Sequence, residues 1–203
     1  MENQKGSNDG KIDGLESRGR EVMVANQRTT GTCESLLRIL ALALTLAAAI
    51  VLGVNKQSKV VPIKLVEGLP PLNVSVPAKW HYLSAFVYFV VVNAVASAYA
   101  AVSLVLSLAN RGGKSSSSSS RLVVIFLDVI MVSLLFSSIG AAGAIGLMGR
   151  EGNKHVQWKK VCNTFGKFCG QAAVAVILSL LGSIAFVFLV MLSARSLHKK
   201  ITK

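Results

Sequence analysis

Apolar residues along the chain fall into four long runs separated by short polar stretches. A helix needs about 20 mostly apolar residues to cross the hydrocarbon of a bilayer, because every backbone group must be bonded within its own segment. The pattern predicts an all-α membrane protein, a four-helix transmembrane bundle, with spans at about 35–54, 82–109, 122–148 and 171–194. The second and third runs outlast the ~30 Å core and should tilt or project beyond it. Residues 35–198 are thus expected to form one four-span membrane domain.

Residues 1–34 are rich in Gly, Asn, Arg and Glu without hydrophobic periodicity and read as a disordered tail, and 199–203 as a short basic one. Six acids lie in that leading segment, unlike the short basic n-region of a signal peptide, so the first span is expected to be retained. The link NRGGKSSSSSSR reads as a low-complexity hinge. Its Gly113-Lys114-Ser115 is similar to the end of a phosphate-binding loop, but the first glycine of that motif would fall at Leu108, inside a span.

Composition agrees with a bilayer as the solvent: 52% of residues are hydrophobic, 15% are charged, and the mean hydropathy is +0.57. The formal charge of +13 points to anionic lipid rather than nucleic acid, because the Lys and Arg residues lie between the apolar runs instead of along one folded face.

Four spans place both termini on one side. The tails and second loop carry 12 Lys or Arg against nine in the first and third loops, a weak bias towards cytosolic termini. Two features in the odd-numbered loops agree. Asn73-Val74-Ser75 is a glycosylation sequon, with only six residues between Asn73 and Trp80 and so close to the membrane. Cys162 and Cys169, with six residues between them, are expected to bridge, and closing so short a ring contributes roughly 2.5 kcal/mol in the chain-entropy estimate. The alternative is a pair of free thiols. Cys33, at the cytosolic edge of span one, is a candidate for palmitoylation or an unmodified thiol.

Arg38 and Asp128 are the ionisable residues well inside the spans. Each costs roughly 2.5–3.5 kcal/mol at a helix centre on insertion scales. Spans one and three run in the same direction, which puts both at comparable depth, so an intramembrane ion pair is expected. In the alternative, Arg38 snorkels to the interface and Asp128 is protonated or wetted. Small residues that permit close helix packing recur as Asn93, Ser97 and Ala100 in span two, and as Ser138, Ala142 and Gly146, with Gly140, Gly143 and Gly149, in span three.

Catalysis lacks its parts. His81, His155 and His198 are scattered, and neither HExxH, paired CxxC nor GxSxG occurs, so no enzyme activity, metal or cofactor is expected.

With this layout, the chain resembles the plant Casparian strip membrane protein-like family, relatives of the MARVEL four-span proteins, over about residues 34–199. The resemblance rests on Arg38, Asp128, the YLSAFVYF opening of span two, and Trp158, Cys162, Phe168 and Cys169 in WKKVCNTFGKFC. It implies a plasma-membrane protein forming homo-oligomers and hetero-oligomers with relatives. Founding members build immobile platforms in root endodermis that recruit lignin-polymerising enzymes. The first loop, NKQSKVVPIKLVEGLPPLNVSVPAKW, lacks the signature of the strip-forming members, so the likeness is to the broader group. The expected function is a non-catalytic scaffold whose third loop, through Trp158 and Phe168, meets partners such as extracellular wall enzymes. In a bland alternative these aromatics only anchor the loop at the headgroups. The competing function is a small transporter or channel subunit with a polar path lined by Arg38 and Asp128.

Overall fold

The computed structural model describes residues 31–63, 72–109, 118–152, 155 and 160–201. The chain divides into two units, Met1–Leu36 and Leu37–Lys203. Of the first, only 31–36 are described, as helix, and the second holds the bundle. Helix α1 runs Gly31–Gly53. It is followed by strands β1 (Lys56–Ile63) and β2 (Leu72–Lys79), a 3-10 turn (Trp80–Tyr82), α2 (Ser84–Ala109), α3 (Ser118–Glu151), the single turn α4 (Val161–Thr164) and α5 (Gly166–Ile201).

Four of these helices are long and apolar enough to cross a membrane: α1, α2, and the apolar stretches Leu122–Glu151 of α3 and Gly166–His198 of α5. Their ends differ from the sequence reading. Helix α1 already includes Gly31–Glu34, which were read as tail, and α3 takes in Ser118–Ser120 of the serine-rich link. Helix α5 begins at Gly166, ahead of the apolar run, because α4 and the cysteine pair lead directly into it. Hydropathy locates the apolar middle of a helix, whereas its ends depend on where backbone bonds stop.

The first loop contains an antiparallel hairpin, in register from Lys56 opposite Lys79 to Ile63 opposite Leu72. Val60, Val61, Val74 and Val76 suit extended backbone. Pro62 and Pro77 are tolerated because each strand of a two-stranded sheet has an unpaired edge. Those prolines hid the hairpin in the sequence.

Helix α3 packs against both α2 and α5. Helix α1 completes the ring: a Cβ built on Gly182 of α5 would lie 3.0 Å from Thr45 Cγ2, and one on Gly53 would lie 3.9 Å from Val90 of α2. Phe86 of α2 meets Phe168 of α5 at 5.9 Å between ring centroids, and Tyr99 meets Phe186 at 6.3 Å.

The interior is layered. At the end where α1 begins lie Arg38, Ser103 and Asp128, all buried. Next comes an apolar cluster of Ala41, Val92, Ala96, Ala100, Leu135, Ala185, Phe186 and Leu189. Thr45, Asn93, Ser138 and Ser179, one from each span and none exposed, make a polar middle layer. A second apolar cluster is built on Ala48, Leu52, Phe86, Phe89, Ala142, Phe165, Phe168, Ala172 and Ala175. Asn55 closes the far end. Outward, Val102, Phe126, Ile177 and Phe188 are each more than half exposed. Polar groups inside and large apolar side chains outside suit a bilayer as the solvent.

Candidate functional site: a buried ionic network and a disulfide-braced loop end

Two constellations stand at opposite ends of the bundle. In the first, Arg38 Nη2 lies 3.5 Å from Asp128 Oδ2, with the two side chains 2% and 0% exposed. Arg38 Nη1 donates to Ser103 Oγ at 2.8 Å, and Tyr99 Oη donates to Asp128 Oδ1 at 2.7 Å. Ser103 spends its own proton on the Ala100 carbonyl at 3.0 Å, which leaves its lone pairs free to accept from the guanidinium. The structure therefore brings Arg38 and Asp128 together and ties both to α2. This explains how two charges are accommodated between apolar walls: each is met by neutral dipoles as well as by its counter-charge.

Tyr99 and Ser103 were not singled out from the sequence. They are four residues apart on α2 and so share a face. Since α2 runs antiparallel to α1, that face meets the depth of Arg38. A lone tyrosine and serine in an apolar run carry little signal until that pairing is known.

At the other end, Cys162 and Cys169 form a disulfide with a Cα separation of 5.7 Å. It encloses Phe165 and Phe168, both buried, at the start of α5. Phe168 was read as an exposed or loop-core aromatic offered to partners, and the structure places it in the core: it is 6% exposed and packs in the apolar cluster against Phe86. Its backbone is held from both sides, since its carbonyl accepts from Asn55 Nδ2 at 2.8 Å and its N–H donates to Gln57 Oε1 at 2.9 Å. The braced turn thereby anchors the end of α1 and the base of the hairpin. Gly149 brings the end of α3 against the bridge, its Cβ position 3.5 Å from Cys162 Sγ. Asn55 and Gln57 also escaped the sequence reading, because polar residues just past a span usually face water.

Trp158, the other expected partner contact, lies outside the described residues. Asn73 is on β2, opposite Pro62. Cys33 is an exposed free thiol. The small residues of span three divide: Ser138 and Ala142 are buried, whereas Cβ positions built on Gly140, Gly143 and Gly146 meet nothing within 4 Å. Among the described residues, no group of three or more His, Cys, Asp or Glu could hold a metal ion.

The Casparian strip membrane protein domain matches residues 27–185. CASP-like protein 1E1 of Populus trichocarpa is 56% identical over 98% of this chain and 99% of its own length. CASP-like protein 1E1 of Glycine max is 53% identical, over 93% of this chain and 100% of its own, and the Arabidopsis thaliana protein of that name is 54% identical, over 92% and 96%. No solved structure matches the chain. With four apolar helices and a domain match covering most of its length, the chain is a multi-pass membrane protein that belongs to the Casparian strip membrane protein-like family of plants.

Proposed function

We propose that the chain is a non-catalytic scaffold of the plasma membrane that assembles, with copies of itself and with relatives, into larger membrane platforms. The observation that carries this reading is the outer face of α3. Only 17% of its apolar window is buried, against 33–39% in the other spans, so α3 has the most surface left to give. Gly140, Gly143 and Gly146 on it leave room beside the backbone for a second helix, and in lipid such close approach is what drives helices together. The disulfide fits an oxidising compartment, which supports cytosolic termini, with the hairpin and braced turn facing the wall space. In that orientation the wall-side loops are the surface offered to wall-modifying enzymes, Asn73 is a candidate glycosylation site, and Cys33 a candidate palmitoylation site.

The layered interior weighs against a transport path within one copy. Leu135, Phe186 and Leu189 lie between the Arg38 network and the middle layer, and Leu52, Phe86 and Phe89 lie between that layer and the far end. An ion would meet two apolar plugs.

Cysteine crosslinking tests the assembly face. In a Cys33→Ser background, Gly143→Cys should give a covalent dimer in membranes under mild oxidation, while Val174→Cys, exposed on α5, should not. Equal crosslinking at both positions would mark random collision and remove the α3 interface.

A further inference from the structure

The base of the first-loop hairpin carries an electrostatic cost that no acidic side chain among its described lining residues offsets. Lys56 and Lys79 stand directly opposite each other in the register. Opposed residues on paired strands place their Cβ atoms about 4.5–5.5 Å apart, and like charges so placed repel. The next rung fixes the direction they point. Gln57 accepts from the Phe168 N–H and Ala78 packs on the apolar cluster, so that rung faces the bundle and the Lys56–Lys79 rung faces away from it.

On that outer side Lys56, Lys79, His81, Trp80, Gly53 and Val54 line an open cavity of about 220 Å³. No acidic residue is among them. The cradle is set by neighbouring contacts: Trp80 N–H donates to the Asn55 carbonyl at 3.4 Å, and Lys79 Nζ sits 5.8 Å from the centroid of the Tyr82 ring. Its depth follows from the chain, since Gly53 is the last residue of α1 and α2 begins at Ser84. The cavity therefore lies where two spans leave the hydrocarbon, at headgroup level, and Trp80 and Tyr82 are residue types that favour that level.

We propose that this cavity binds the phosphate of an anionic phospholipid, with the Lys56 and Lys79 ammonium groups on either side of it, His81 a further donor, and Val54 and Trp80 against the glycerol and upper acyl chain. A phosphate between the lysines turns their repulsion into a shared attraction. The membrane lipid is the source, rather than a soluble anion, because the cavity opens at the level that lipid phosphates occupy and one of its walls is apolar. The site is independent of self-assembly through α3.

Native mass spectrometry of the full chain, with phosphatidylglycerol and phosphatidylcholine supplied in equal amounts in detergent, tests this. The wild type should retain phosphatidylglycerol preferentially. The double variant Lys56→Gln/Lys79→Gln should bind it about thirtyfold more weakly, at about fivefold per lysine, and Lys56→Arg/Lys79→Arg should restore it. Lys59→Gln, which removes an exposed lysine from the opposite face of the same strand, should leave retention unchanged. In lipid-free detergent the double Gln variant should melt no lower than the wild type, which separates loss of a ligand from loss of fold. Equal losses in Lys59→Gln and the double variant would reduce the effect to general surface charge and overturn the proposal. So would displacement of the lipid by millimolar inorganic phosphate, which would make the site one for soluble anions.

Discussion

Small residues line both the inside of the bundle and the outer face of α3, yet the two surfaces are built differently. Inside, Gly182 is pressed against Thr45, and Ser138 and Ala142 are buried between helices. Outside, Cβ positions built on Gly140, Gly143 and Gly146 meet no atom of the described residues within 4 Å. The same residue types thus do opposite work: the inner set is already spent on holding one copy together, and the outer set is available to a second. In lipid, where apolar burial gives little drive for helix association, close backbone approach and buried polar contacts carry that work. Substitutions inside should lower the stability of the single chain, and those outside should spare it while weakening assembly.

The largest effect is expected at the ionic network. Asp128→Ala leaves Arg38 buried without its counter-charge, and loss of one partner of a buried pair costs about 3–5 kcal/mol. Thermal unfolding in detergent should show it, and the double variant Arg38→Leu/Asp128→Leu should recover most of the loss. Equal instability of the double variant would mean that the network acts through Ser103 and Tyr99 rather than through charge compensation.

Next comes the braced turn. Cys162→Ser/Cys169→Ser should cost roughly 2.5 kcal/mol by the ring-closure estimate, and limited proteolysis should then cut first near the hairpin, because Phe168 no longer holds Asn55 and Gln57 firmly. Unchanged proteolysis would detach the hairpin from the turn.

A smaller loss, about 1–3 kcal/mol from overpacking, is expected for Gly182→Val, whose side chain must push Thr45 and Leu44 away. Gly140→Leu/Gly143→Leu should change the melting of the single chain least, by less than about 0.5 kcal/mol, yet abolish the self-assembly proposed through α3. Gel filtration in mild detergent separates the two effects.

Much of this arrangement was legible in the sequence. The four spans followed from apolar run length, and the proximity of Arg38 to Asp128 from their matching depth in parallel helices. What could not be read were contacts made by residues with ordinary local preferences. Tyr99 and Ser103 become partners of the charges only through the antiparallel placement of α2. Phe168 lies in a polar-looking loop motif, and only the disulfide turn rolls it into the core. The hairpin escaped because its strands carry prolines and lie outside the hydrocarbon. The glycines of α3 were visible as a stripe, but which of them face a neighbour in the same chain is a property of the packed bundle.

The most direct test of the scaffold reading is lateral mobility. A fluorescent fusion at the plasma membrane of plant cells should recover slowly after photobleaching and lie in defined patches, whereas Gly140→Leu/Gly143→Leu should recover fast and spread evenly. Fast, uniform recovery of the wild type would contradict the account.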